Sequence, residues 1–290
     1  MNRTRTASYG YLSTMARLFV LIFGLLVSPF LNAQTLGFGF GGSKTAAVPT
    51  KATLVSEVSA IAPGKPFTVA LQLTHPDGWH SYYRNSGGLE KSPAITWTLP
   101  EGFSAGPIQW PVPEVKDGVF GKSFVYSGKP VFLVEITPPA TLKPGESITL
   151  QAAATWQICQ QTCRDESAKF SLTLPVAEKA STDPEQLELI LQARRMIPQP
   201  SKSLIQWEAG NGTIRLKISP PPIRDSTDLD LDFIPDQPFV HPLSESGSFT
   251  HNGDAWVLTL KQATKDALDN DIPLGETLSG ILVALSLIHI

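Results

Sequence analysis

The sequence predicts an all-β chain: an antiparallel sandwich followed by a second, smaller β domain, with one linking helix. Three observations carry this. Short apolar runs alternate with period two, as half-buried strands do. The 25 prolines and 22 glycines are scattered between those runs as turn clusters. Only one stretch has the caps and spacing of a helix.

The amino end sets the compartment. Arg3, Arg5 and Arg17 precede an apolar run from Leu18 to Phe30, and Leu31-Asn32-Ala33 offers a small residue at the expected cleavage point. Residues 1–33 therefore read as a signal peptide; an uncleaved anchor would leave the following chain outside the cytoplasm as well. Losing these residues removes three arginines and no acid, which moves the formal net charge from -3 to about -6. A mildly acidic mature chain without basic clusters argues against nucleic acid or an anionic membrane surface as a partner. The remaining length suits two domains of roughly a hundred residues each.

Residues 34–50 are Gly-rich and aperiodic, and read as a flexible leader. The first domain is expected over 51–178. Phe67, Val69, Leu71 and Leu73 alternate with Thr68, Ala70 and Gln72, as on a half-buried strand. Further strands are expected at Ala94–Leu99, Val131–Thr137, Ser147–Trp156 and Lys169–Leu174, with turns at Pro63-Gly64, Pro100-Glu101-Gly102 and Pro144-Gly145. A helix is expected within 179–200. Asp183 can cap it, Pro184 suits its first turn, Gln186 completes a capping-box spacing, and Leu187, Ile190, Leu191 and Ile197 form its apolar side. It is expected to bridge the two domains. In the second domain, 201–284, Asn211-Gly212 marks a hairpin and Ile214, Leu216 and Ile218 alternate on the return strand. Ala255–Leu260 and Thr277–Val283 read as later strands.

The chain has two cysteines, Cys159 and Cys163. On one straight strand they would lie roughly 13 Å apart at ~3.3 Å per residue, whereas a disulfide needs Cα atoms within about 7 Å. The chain must therefore turn between them or form a helical turn, and the flanking alternation favours a tight turn at Gln160–Thr162 at the end of a hairpin. In an oxidising compartment such a pair is expected to bond. A staple closing so small a loop contributes only roughly 2 kcal/mol, while a partly exposed bond exchanges readily with thiolates. On these residues alone both readings stay open. A metal site of two thiolates and a histidine lacks a clear third ligand, so no metal or cofactor is expected. Arg164 favours a thiolate, and Asp165 and Glu166 oppose it.

Other candidates are weaker. Trp79-His80-Ser81-Tyr82-Tyr83-Arg84 reads by default as a core strand with one satisfied histidine. Asp225, Asp228, Asp230 and Asp232 lack the glycine and terminal glutamate of a calcium loop, and read as a solvated strand or turn.

Four segments, Trp79-His80-Ser81-Tyr82, Trp97-Thr98-Leu99-Pro100, Ile108-Gln109-Trp110-Pro111 and Leu142-Lys143-Pro144-Gly145, precede Trp156…Cys159-x-x-x-Cys163 and Leu172-Thr173-Leu174-Pro175. In that order they resemble the amino-terminal domain of DsbD-type thiol:disulfide interchange proteins, over roughly 51–176. The two-domain layout is similar to the copper-sensitivity branch of that family. The resemblance implies an immunoglobulin-like domain in the periplasm. Its catalytic pair, Cys159 and Cys163, would take electrons from a thioredoxin-like donor domain and reduce disulfides of exported client proteins. It further implies an aromatic shield, for which Phe120 in Val119-Phe120-Gly121-Lys122-Ser123 is the candidate, with Tyr126 and Trp156 as neighbours of the pair. The alternatives are a non-enzymatic binding module with a structural disulfide, or a copper-handling protein.

Two departures bear on partner choice. Arg164-Asp165 stand where the family usually has a proline, and the loop after Arg84 is shorter and lacks the usual acid. The family also continues into a membrane domain, which places the full-length protein in the inner membrane. Residues 285–290 back-translate to the mosaic end of transposon-based sequencing libraries, so they read as adapter and the native protein is expected to be longer.

Overall fold

The computed structural model describes residues 49–222, 230–252 and 254–285. The expected signal peptide, most of the leader, Asp225, Asp228 and residues 286–290 lie outside the described residues. The amino-terminal half contains β1 (Lys51–Ser56), β2 (Val58–Ala60), β3 (Phe67–Thr74), β4 (His80–Tyr82), β5 (Ala94–Thr98), β6 (Ser104–Ala105), β7 (Glu114–Gly118), β8 (Gly121–Ser127), β9 (Val131–Thr137), β10 (Ser147–Cys159), β11 (Cys163–Pro175) and β12 (Ser181–Thr182). Two antiparallel sheets dominate it. One has the order β1-β3-β9-β6; the other has the order β11-β10-β4-β8-β7, with β5 also on β10. This is an immunoglobulin-like sandwich.

Alternation fills the space between the sheets. Leu71 and Leu73 of β3 and Phe132 of β9 meet Phe124 and Tyr126 of β8 and Ala154, Trp156 and Ile158 of β10. Phe67, Val69, Val134 and Ile136 meet Leu150 and Leu174 further along. The opposite face of β3 and β9 is covered too, so β3 is buried on both faces, where half-burial was expected. Its cover is α1 (Pro184–Arg195), whose Ile190 and Ala193 pack on Ala70 and Leu133. The helix thus links the two domains in sequence and packs on the first in space. Asp183 caps it by accepting from the Glu185 and Gln186 amides. The reciprocal half of the capping box is replaced by the Asp183 amide donating to the Glu57 carbonyl, at 2.9 Å. Arg194 closes the other end on the Glu57 carboxylate at 2.6 Å.

The second half contains β13 (Leu204–Gly210), β14 (Thr213–Ser219), β15 (Asp230–Pro235), β16 (Ser248–Asn252), β17 (Ala255–Lys261) and β18 (Gly280–Leu285). The order β13-β14-β17-β16 forms one sheet, and β15 pairs with β18 as a ribbon. Asn211 and Gly212 both have positive φ, 53° and 73°, as a two-residue hairpin turn demands.

The ribbon is shared between two cores. Leu231, Phe233 and Leu282 pack into the second domain with Leu216, Trp256 and Leu258. Their alternate neighbours Ile234, Ile281 and Val283 pack into the first domain's cluster with Tyr83, Tyr126 and Phe132. Polar contacts seal this junction. The buried Tyr83 hydroxyl donates to Asp236, which also accepts from Ser279 Oγ at 2.7 Å and pairs with Arg84 at 3.4 Å. Asp232, expected on a solvated stretch, is buried instead. Its carboxylate accepts from the Phe233 amide at 2.8 Å and from the Ser244 amide and hydroxyl at 3.0 and 2.7 Å, which satisfies a charge that burial would otherwise make costly.

Tyr83→Phe should remove one charge-assisted hydrogen bond while leaving Asp236 its other partners. The expected loss is about 1–2 kcal/mol, read as a lower urea midpoint at unchanged slope.

Candidate functional site

The β10–β11 hairpin builds the site by register. Ser147 pairs with Pro175 and every step inward stays in phase until Cys159 faces Cys163. Gln160–Thr162 make the turn, and the two cysteines are disulfide-bonded with Cα atoms 4.1 Å apart. The preceding loop abuts this turn at Gly78, where φ is +77° and a Cβ would come within 2.8 Å of the Gln160 side-chain amide.

The two sulfurs differ in access. Cys159 is 4% exposed and clusters with Tyr82 and Val125, whereas Cys163 is exposed. His80 lies directly across from Cys159 on β4. His80 Nε2 and the Tyr82 hydroxyl are hydrogen-bonded at 3.1 Å, with the rings edge to face at 5.3 Å. Burial pushes Tyr82 up to about 12, with the Glu90 charge adding to it, so it remains a phenol. Burial, aided by Lys116, holds His80 below the usual imidazole range, while Glu90 and Glu114 oppose the shift. The loop after Arg84, which lacks the family's usual acid, brings Glu90 within electrostatic range of both rings. The same loop is pinned beside the pair: Lys91 Nζ meets Asp165 at 2.7 Å, and the Lys91 amide donates to Gln157 at 3.2 Å.

The other face of the hairpin carries a second network. The Arg164 guanidinium sits over the Trp79 ring, 4.5 Å from its centroid, and pairs with Glu166 at 2.8 Å. Glu166 also accepts from the Trp156 indole at 2.9 Å and from the Thr50 amide at 3.3 Å. Burial alone would raise this carboxyl, but those hydrogen bonds and the Arg164 charge hold it below its usual range. His75 is buried beside this network, with Nε2 2.9 Å from Ser81 Oγ and Nδ1 3.4 Å from Thr50 Oγ1. The satisfied core histidine is thus His75, and His80 belongs to the site.

Of the expected neighbours, Trp156 reaches the pair indirectly, through Glu166 and Arg164. Tyr126 follows Val125 on β8 but points to the core, where its hydroxyl donates to the Pro111 carbonyl at 2.7 Å and its ring meets Phe132 edge-on at 5.2 Å. Phe120 needs correction as a shield. It sits at the β7–β8 turn, five residues from Val125, which is roughly 16 Å of strand. There it lines a cavity with Pro238, Val240 and His241 of the second domain. Tyr82 and Val125 are what cover Cys159. Sequence reasoning missed Tyr82, Val125 and Glu90 as site residues. The available signal was Trp79-His80-Ser81-Tyr82, which opens the family pattern. Among the described residues no group of three or more His, Cys, Asp or Glu side chains is placed to hold a metal ion.

Residues 49–175 match the family described as thiol:disulfide interchange protein DsbD, N-terminal. Those residues form a DsbD-type amino-terminal domain. The match ends at Pro175, the last residue of β11 and so of the hairpin that bears the cysteines. The family match and the bonded cysteine pair support a thiol-disulfide exchange module. The fold is also that of the crystal structure of the N-terminal periplasmic domain of ScsB from Proteus mirabilis. That likeness has a TM-score of 0.56 at 18% identity, over 81% of this chain and 88% of that one. The major subunit of aggregative adherence fimbriae type I from Escherichia coli matches at TM-score 0.25 and 12% identity, over 45% of this chain and 97% of that one. The Bacillus subtilis sporulation control protein Spo0M matches at 0.22 and 11%, over 81% and 90%. Both scores are too low to carry an argument. No curated protein matches the sequence.

Burial lowers His75 from 6.5 to about 4, with Glu166 opposing and His80 adding to the shift. The unfolded chain binds a proton there that the folded chain rejects. Stability from this group is therefore full above the unfolded value of about 6.5 and falls as pH drops toward 4, by on the order of 3 kcal/mol. His75→Gln should flatten that part of a stability-against-pH curve measured by urea unfolding.

Proposed function

We propose that Cys159 and Cys163 form a periplasmic relay that takes electrons from a thioredoxin-like domain and passes them to disulfides of exported proteins. The observation that carries this reading is the asymmetry of access, with Cys163 exposed and Cys159 buried against Tyr82 and Val125. A donor thiolate attacks Cys163 Sγ, the disulfide breaks, and the electron pair leaves on Cys159 Sγ. The donor's second thiol then resolves the mixed disulfide and leaves the pair reduced. In the forward step the Cys163 thiolate attacks a client disulfide. Cys159 next attacks Cys163 Sγ, which re-forms the pair and releases the reduced client. A disulfide that only braced the fold would gain nothing from one exposed sulfur, and closing this small loop contributes only about 2 kcal/mol. The export signal and the DsbD-type domain support a periplasmic setting, with the module borne by a longer protein that has a membrane domain.

The pair should equilibrate with a thioredoxin-like dithiol at a potential above about -300 mV, in the range of exchange proteins. Cys159→Ser should accumulate a mixed disulfide through Cys163, whereas Cys163→Ser should be alkylated roughly tenfold more slowly at its remaining thiol. A bond that such a dithiol leaves oxidised would instead mark a structural brace.

A further inference from the structure

Cys159 poses a problem of proton transfer that the exchange chemistry leaves open. Its sulfur must be a thiolate to attack Cys163, yet it is buried among Tyr82 and Val125, where burial disfavours the charged form. Asp165 lies on the same face of β11, two residues beyond Cys163. A thiol in such a place stays protonated unless a base takes its proton.

We propose that His80 is that base. The assignment rests on the exchange reading given above, and on geometry. His80 and Cys159 are directly opposed across β4 and β10. Side chains at such positions share a face, with Cβ atoms roughly 5 Å apart. Tyr82, two residues along the same strand, shares that face. It contacts Cys159 in the buried cluster and holds the His80 ring through Nε2. In the resolving step the Cys159 S–H proton passes to the imidazole, at the nitrogen that Tyr82 does not engage. The Cys159 sulfur bonds to Cys163 Sγ, the bond from Cys163 to the client sulfur breaks, and the electron pair departs on the client thiolate. The imidazolium then returns its proton to that thiolate or to water. Run backwards, the same residue protonates Cys159 as a donor thiolate opens the pair.

The groups around His80 favour this role. Lys116 and Glu114 on β7 and Ser127 on β8 lie on one side, with Lys116 Nζ 2.8 Å from Ser127 Oγ and 3.1 Å from Glu114. Glu90 faces it from the loop after Arg84, His75 acts from the preceding loop, and Tyr82 touches it on its own strand. Burial and Lys116 outweigh the two carboxylates and keep the ring neutral at neutral pH, which is the form a base needs.

The test is single-turnover reaction of the fully reduced chain with dithiobis(nitrobenzoate), whose released thiolate is coloured. Attack by Cys163 releases the first equivalent, and resolution by Cys159 releases the second. In the wild type the second phase should rise with pH through an inflection below 6.5, the ordinary histidine value, and rise again as thiols ionise unaided. His80→Gln should keep the first phase, which also reports a folded site. It should slow the second roughly tenfold or more at about pH 7 and erase the lower inflection. Lys116→Gln removes a charge that holds the ring down, so it should move that inflection to higher pH. An unchanged second phase in His80→Gln overturns the role of His80 alone, and so does an unmoved inflection in Lys116→Gln if the first variant fails to fold. A wild-type mixed disulfide that never releases the second equivalent overturns the exchange reading itself.

Discussion

Everything at the site follows from one register, that of β10 against β11. The thirteen residues of each strand pair without a slip, so the alternation that buries Leu150, Ala154, Trp156 and Ile158 also decides which way each cysteine points. A shift by one residue would turn Cys159 toward the sandwich interior and expel Trp156 to the surface. The apolar core thus positions the chemistry without contacting it. The hairpin end is further fixed from both faces. Lys91 and Asp165 hold the outer side, and Trp79, Arg164 and Glu166 hold the inner side.

Within that frame the pair is deliberately unequal. A buried sulfur next to a phenol and an imidazole cannot meet a partner, and an exposed one can. In the proposed relay, access sets the order of events before any question of reactivity arises. The surface pair Lys91–Asp165 is screened by water and adds little stability. Its use is to keep the loop beside the turn, and with it Glu90.

The sandwich, the helix caps and the cysteine turn were legible in the sequence because each has a local signature. Period two gives a strand its face, Asp183-Pro184 starts a helix, and two cysteines four residues apart must fold back to meet. What could not be read depends on contacts between distant segments. Thr68 and Ala70 look like an outward face, and only the docking of Ile190 and Ala193 shows that this face is covered. Asp232 looks solvated until Ser244 folds onto it. His75 and His80 are five residues apart and equally polar in sequence. One caps a buried network and the other lies across from a cysteine, because β4 begins at His80. Phe120 was misplaced for a related reason. Its motif is local, but the length and direction of the β7–β8 hairpin decide where the turn ends up.

The shared ribbon of β15 and β18 has an evolutionary consequence. Each strand carries one core's side chains on alternate residues, with Ile234 and Ile281 serving the sandwich and Phe233 and Leu282 serving the second domain. A mutation in either strand is therefore screened by both halves at once. The two halves cannot drift, recombine or be exchanged as separate cassettes without rewriting the partner's interior. The redox hairpin, whose rims are loops and charged side chains, stays free to change its specificity while the ribbon holds the pair of domains to a common lineage.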